Sequence, residues 1–434
     1  MTSAGAQTTA GASPSAAALL AALPATVDAA VVRDGHRFVV AAAPDAVRVA
    51  SGPDALDVLD RLPRGWWAGF LSYELGRAVE RVKPRRRPDA GHHAEPALPD
   101  LVLARFPARA VLDPASGRPE LHGQGEARDV LAHAVEKAGA GPSVPASPAL
   151  PHWKSSLHRA EFEERVATIL EHVGAGDCYQ VNLTRRLTCE QPANPVGLFA
   201  SLERCNPSPH GALLRFGGAP GAPRVAVVSA SPERFLSWRG RDAETRPIKG
   251  TGTDPTALAM SAKDRAENVM IVDLARNDFG RVCEPGSVVV PALCDLEAHP
   301  GLHHLVSTVR GRRRAGTGIG ALVRATFPPA SVTGAPKPRV MQIIEDLEPV
   351  PRGVYCGAVG WIDTERDAGD LNVAIRTFTV ADRRIHLGVG AGIVADSEPA
   401  AEWAETELKA ARLLAAAGTG FAGAREVALT GANG

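Results

Sequence analysis

The run ETRPIKGTGTD, residues 244–254, places one amine, Lys249, after a Pro-Ile pair and at the lip of a Gly/Thr/Asp turn. Only seven of the 48 Lys and Arg residues are lysines, at 83, 137, 154, 249, 263, 337 and 409. Such a chain supplies plain surface charge as arginine, and a guanidinium cannot lose its proton to attack carbon, whereas a desolvated amine can. A lysine snorkelling from a strand end is the other reading. Three carboxylates invite a second kind of chemistry. Glu402 and Glu405 stand i, i+3 on one face of the C-terminal helical stretch, and Glu267 lies on the helical stretch after Lys249, one turn beyond Asp264. Carboxylates from different helices can build an oxygen-rich Mg2+ site, and a solvated acidic face has the same periodicity. The cluster GVGAGI (388–393) and the run SVTGAPKPR (331–339) could each offer backbone N–H groups to an anion or form tight turns. The glycine spacing is not a dinucleotide fingerprint. His303 and His304 fall in an alternating stretch, so one faces inward and the other outward. No Ser/His/Asp order and no nucleophile elbow is present.

The elements that must carry these residues follow from periodicity. The spacing predicts helices over 158–177 (ending at Gly174), 261–280, PKPRVMQIIEDLEP and SEPAAEWAETELKAARLLAAAG. Ser261 opens the second with Asp264 three residues on, and Pro399 sits in the first turn of the last. GWWAGFLSYELG, CYQVNLTRRLTCE, RVAVVSASPERFLSWRG, RDAETRPIKG, GVYCGAVGWI, LNVAIRTFTV and RRIHLGVGAGIV each read as a strand. Many neighbouring strands look paired as hairpins, which favours an α+β fold over a doubly wound parallel sheet. The Pro/Ala/Ser run at 138–153 reads as a linker between a region 16–150 and a region 151–417. Residues 1–15 and 418–434 read as tails, and 81–100 as a loop.

Zero net charge and a near-neutral pI give no electrostatic reason to bind nucleic acid or a membrane surface. The first 32 residues lack Lys and Arg, so no basic signal region precedes the Ala-rich stretch. Six cysteines without CxxC spacing suit reduced thiols in a cytoplasm.

Eight segments, in order, carry a resemblance: SASPERFL, RPIKGT, SAKDRAENVMIVDLARNDFGRV, HHLVSTVRG, FPPASVTGAPKPRVMQIIEDLEP, YCGAVGWI, IRTFTV and GAGIVADSEPAAEWAETELKAARLL. Together they resemble the chorismate-utilising enzymes, which include anthranilate synthase component I, aminodeoxychorismate synthase component I, and isochorismate and salicylate synthases. The resemblance is dense from about 155 to 416 and thinner before, where GWWAGFLSYELGR carries it. It implies a large two-sheet β-sandwich with helices outside, like anthranilate synthase component I, and chorismate bound with Mg2+ in a buried cleft.

The resemblance also implies roles. Members that add water carry a lysine base where this chain has Gln180, and glutamine cannot deprotonate water. Anthranilate synthases carry alanine at Lys249, and aminodeoxychorismate synthases carry lysine. Lys249 would therefore attack C2 of chorismate, the C4 hydroxyl would depart, and ammonia would enter at C4 to give 4-amino-4-deoxychorismate. Glu233 matches the general acid/base. Glu267, Glu402 and Glu405 match the Mg2+ ligands. Arg376, Tyr355 and a glycine loop of Gly390, Ala391 and Gly392 match the carboxylate clamp, and His304 and Thr333 match residues beside the ring. The chain has no glutaminase cysteine elbow, so ammonia is expected from a separate glutamine amidotransferase. The tryptophan-sensing motif of anthranilate synthases is not recognisable. Anthranilate synthase component I and a non-catalytic chorismate-binding subunit are the alternatives.

Overall fold

The computed structural model describes residues 14–85, 98–140, 144–146, 149–299 and 302–418. Nearly all of the expected tails, the middle of the 81–100 loop and parts of the 138–153 linker lie outside the described residues. Two large antiparallel sheets form the centre. The first runs, in spatial order, Gly334–Ala335, Gln180–Cys189, Arg384–Ile393, Thr377–Ala381, Val225–Ser231, His210–Phe216, Ala29–Asp34, Arg37–Ala42, Ala108–Leu112 and Glu120–Gly123. The second runs Ile248–Gly252, Leu302–Arg312, Asp242–Arg246, Arg234–Arg239, Ala368–Val373, Ala358–Asp363, Trp66–Leu71, Leu101–Phe106 and Ala46–Ala50, with Val289–His299 paired to Leu302–Arg312. Strands from either side of residue 150 are neighbours in both sheets: Ala29 lies opposite Arg215, and Trp67 opposite Ile362.

Alternation within each strand explains the layering. In Ala29–Asp34, Ala30 and Val32 face the second sheet and pack with Phe70, Phe106 and Trp361. Val31 and its neighbour Val40 face the other way, onto Leu19, Leu131, Phe199 and Leu413 of the helices Ala16–Ala22, Glu126–Gly139, Pro195–Cys205 and Pro399–Ala416. A period of two sends alternate side chains to opposite faces, so both faces of the sheet must be covered. The α+β sandwich with surrounding helices is the architecture observed. No described helix is long and apolar enough to cross a membrane.

Three runs that read as single strands are each two strands: RDAETRPIKG divides within the second sheet, at Pro247, and the other two change sheet. Val225–Ser231 belongs to the first sheet and Arg234–Arg239 to the second; Ala368–Val373 belongs to the second and Thr377–Ala381 to the first. The chain crosses between sheets at both places, and the crossings are stitched together. Val373 N donates to Glu233 O at 3.0 Å, Ala230 N to Arg376 O at 3.0 Å, and Ser231 Oγ to Val373 O at 2.5 Å. Arg376 takes a left-handed φ of 50° at its crossing, a conformation that a non-glycine residue holds only when its surroundings require it.

Candidate active site

Glu233 and Arg376 stand at these two crossings, and the remaining site residues face them across the gap between the sheets. Lys249 comes from the edge strand Ile248–Gly252, whose pairing with Leu302–Arg312 shifts register between Lys249 and Thr251. Such a bulge re-aims a side chain. Gly250 makes it possible, because its φ is +79° and a Cβ there would lie 2.9 Å from the Cβ of Asp264. The Lys249 amine reaches over to the first sheet. A Cβ on Gly392 would meet Gln180 Nε2 at 2.4 Å and Lys249 Nζ at 3.7 Å, so the bare glycine makes room for both. Lys249 Nζ donates to the Ser331 carbonyl at 3.3 Å. Burial pushes the ammonium below the usual lysine range, while Glu267, Glu233 and Glu405 pull it back and Lys409 adds to the depression.

Glu233 is 4% exposed, and burial raises its carboxyl from an ordinary 4.5 to about 7. The Ser331 hydroxyl, the Lys249 charge and the Ile248 N–H oppose that rise. The group is therefore divided between acid and carboxylate at neutral pH, as a residue that both gives and takes a proton needs to be. His304 is buried, meets Thr251 Oγ1 through Nδ1 at 2.8 Å, and stacks edge-on against His299 at 4.9 Å between centroids. Burial, then the Arg376 charge, pushes its pKa down to about 4, so the ring is neutral. His303, one residue along, is only half-buried.

Arg376 makes no ion pair among the described residues. Burial lowers its pKa, with Arg412 adding to the effect, and an uncompensated guanidinium of this kind suits an anionic ligand. Tyr355 packs flat on Gly388, where a Cβ would lie 2.1 Å from its ring. Burial, and then the Cys356 sulfur, hold its phenol well above the usual range, so it stays a neutral donor. Thr333 is fully buried and its hydroxyl donates to Pro329 O at 3.0 Å, so that proton serves the local backbone.

The glycine loop expected at 390–392 is instead the end of the strand Arg384–Ile393. Pairing with Thr377–Ala381 stops at Leu387, while pairing with Gln180–Cys189 continues to Ile393. From Gly388 onward one edge of the strand is therefore unpaired, where the neighbouring strand has crossed to the other sheet. Ala391 turns its methyl into the apolar core.

The carboxylates cluster beside this edge. Glu402 is 4% exposed; its Oε1 accepts from Ser397 Oγ at 2.6 Å and its Oε2 is buried with no partner. Burial raises the pKa of both Glu402 and Glu267, and the Glu405 charge adds to each. Glu405 pairs with Lys409 at 2.5 Å, and Lys409 also donates to Gly390 O at 2.9 Å. Among the described residues no three His, Cys, Asp or Glu side chains already converge as a metal cage. An orphaned carboxylate oxygen and overlapping negative fields are nonetheless what a hard cation would satisfy, and an all-oxygen donor set suits Mg2+.

Sequence reasoning passed over three participants. Ser331 holds Lys249 through its carbonyl and faces Glu233 with its hydroxyl. Thr251 orients His304. Lys409 ties Glu405 to the glycine strand. Lys409 was legible: it is one of the seven lysines and stands i, i+4 from Glu405.

A family model described as "chorismate binding enzyme" matches residues 24–415. An aminodeoxychorismate synthase component 1 of Klebsiella aerogenes is 39% identical over 356 residues, covering 80% of this chain and 76% of the relative. An anthranilate synthase component 1 of Streptomyces coelicolor is 40% identical over 376 residues, covering 81% and 72%. The crystal structure of anthranilate synthase component I from Streptococcus pneumoniae superposes with a TM-score of 0.75 at 27% identity, over 87% of this chain and 92% of that one.

Proposed function

Because the chain belongs to the chorismate binding enzyme family, we propose that it aminates chorismate at C4, as the synthase component of an aminodeoxychorismate synthase. The observation that carries this reading is Lys249: a desolvated amine aimed between the sheets, with Glu233 beside it and Gln180 opposite. In this mechanism the free Lys249 amine bonds to C2, the ring double bonds shift, and the C4–O bond breaks. Glu233 gives its proton to the departing hydroxyl, which leaves as water. Ammonia then bonds to C4, the double bonds shift back, and the bond from C2 to Lys249 breaks to restore the amine. The Glu233 carboxylate takes a proton from the new C4 ammonium. The balance is chorismate plus ammonia to 4-amino-4-deoxychorismate plus water.

Arg376, the neutral Tyr355 phenol and the unpaired edge of the strand at Gly390 and Gly392 would grip the substrate carboxylates. Glu267, Glu402 and Glu405 would hold Mg2+, which when bound neutralises a ring carboxylate and draws electrons from the ring. Neutral His304 would donate or accept a hydrogen bond beside the ring without adding charge. Ammonia would come from a glutamine amidotransferase partner, in the cytoplasm, where the six free thiols persist.

The comparable identity to an anthranilate synthase component 1 favours a second reading, direct attack of ammonia at C2. One experiment separates the two. The protein is incubated with chorismate and Mg2+ without ammonia, quenched in acid and weighed intact. The expected result is a gain of chorismate minus water on the peptide holding Lys249, absent in Lys249→Ala. Added ammonium should then release a product that keeps its enolpyruvyl group. Fluorescent anthranilate and free pyruvate from the parent protein would overturn the C4 reading.

A further inference from the structure

Glu233 has a second neighbour besides the substrate cleft. A cavity of about 30 Å³ adjoins it beneath the helix Ala262–Gly280. Glu233, Ser331, Asp278 and Thr326 form its polar wall, and Ala275 and Phe279 part of its apolar wall; Lys249, Gln180, His304 and Arg376 do not line it. A water molecule needs roughly 10–15 Å³ of such space and two to four polar partners. Both conditions are met: Ser331 Oγ is buried beside Glu233 without a hydrogen bond of ordinary geometry, so a water can complete its bonding, and Glu233 and Asp278 line the same space. An apolar cavity of this size would stay dry.

Asp278, which lines the same cavity, is held by Lys337 Nζ at 2.9 Å and by Arg281. Lys337 is 6% exposed, whereas the Arg281 side chain is 46% exposed and reaches the surface. The charged groups facing Glu233 are thus Lys249 on the cleft side and Asp278, with its two cations, on the cavity side. Arg234, next in sequence, points away to Asp370 and Glu244.

We propose that this cavity is a hydration site that exchanges the proton of Glu233 with solvent by way of Asp278, with Ser331 as the residue that positions the water. Glu233 gives its proton to the water as the water gives one of its own to an Asp278 carboxylate oxygen, and Asp278 releases that proton to solvent on the Arg281 side, so the water and Asp278 are unchanged and one proton has passed from Glu233 to solvent. The path lies on the face of Glu233 away from Lys249. Glu233 can therefore regain its proton while a ring covers the cleft side. Its use in turnover rests on the C4 chemistry proposed above; the hydration site itself does not.

The test reads Glu233 directly, without turnover. Infrared difference spectra of the parent protein against Glu233→Gln identify the carboxylic acid C=O band. Transfer into D2O gives its exchange rate, and a pH series gives its midpoint. Ala275→Val fills the cavity, and Ser331→Ala removes the positioning hydroxyl. Each variant is expected to slow exchange at least tenfold and to raise the midpoint, because each takes a hydrogen-bond donor from the carboxylate. Ser331→Ala decides the matter alone if Ala275→Val does not fold. Unchanged exchange and an unchanged midpoint in Ser331→Ala would overturn the proposal, whatever reaction the enzyme performs. In activity assays the same variants should lower kcat and leave KM for chorismate within about twofold.

Discussion

Glu233→Gln should make the protein more stable and less active, and the stability gain should depend on pH. The carboxyl is 4% exposed and burial raises its pKa from an ordinary 4.5 to about 7. In the unfolded chain it ionises near 4.5 and in the folded protein near 7, so the native state holds the proton more tightly. The stabilisation this gives is complete below the unfolded pKa. It is lost as pH rises from 4.5 through 7, because the folded protein must then carry a buried anion. At about 1.4 kcal/mol for each tenfold difference in proton affinity, the loss comes to roughly 3 kcal/mol, an order-of-magnitude figure. Glutamine has the same shape, still accepts from the Ile248 N–H and never ionises. Denaturant unfolding of parent and variant at pH 4.5, 6, 7 and 8.5 reads the difference. The two proteins should be close at pH 4.5, and the variant more stable by about 2–3 kcal/mol at pH 8.5. Its rate of chorismate consumption with ammonium should fall by about 10²–10⁴. A stability difference that is flat from pH 4.5 to 8.5 would show that Glu233 ionises as easily in the fold as in water, and the argument for its acid/base role would fail.

Three further outcomes follow from the same site. Gly392→Ala puts a methyl 2.4 Å from Gln180 Nε2 and 3.7 Å from Lys249 Nζ, and Gly388→Ala puts one 2.1 Å from the Tyr355 ring; both should cost at least tenfold in kcat/KM, and full activity in either would refute the packing of the cleft. His304, at about 4, stays neutral, so its ring proton resonances should not move between pH 5.5 and 8, and a midpoint near 6.5 would contradict the burial argument. Chelation by EDTA should abolish turnover and Glu405→Gln should weaken Mg2+ binding at least tenfold by calorimetric titration; full turnover in excess EDTA would remove the metal from the site.

The architecture was legible because it rests on local patterns. Helix Arg159–Gly174 ends at the expected glycine, and Ser261 caps Ala262–Gly280 by accepting from Asp264 N at 3.2 Å. What escaped was the change of sheet inside two apparently continuous strands. VAVVSAS and RFLSWR are both β-friendly, and so are the flanks of Arg376; periodicity reports that a segment is extended, not which sheet it joins. The side chains at those joints are the ones the chemistry needs. A residue between two strands in one sheet has its backbone fixed by ladders on both sides. A residue at a crossing has left one sheet's ladder and not yet entered the other's, so its side chain can point into the gap. Glu233 and Arg376 occupy that position, and the departure of the strand beside Arg376 also bares the edge at Gly388–Gly392. The same reasoning explains the glycines there. They read as a turn because glycine frees the backbone, yet none from Gly388 to Gly392 has a positive φ. Tyr355 fills the space that a side chain at Gly388 would take, Gln180 and Lys249 fill that at Gly392, and Leu183 and Thr184 of the paired strand fill that at Gly390. A sequence reports only that Cβ is missing; whether it was removed for the backbone or for a neighbour is decided by residues of other strands and loops, such as Lys249 against Gly392 and Tyr355 against Gly388.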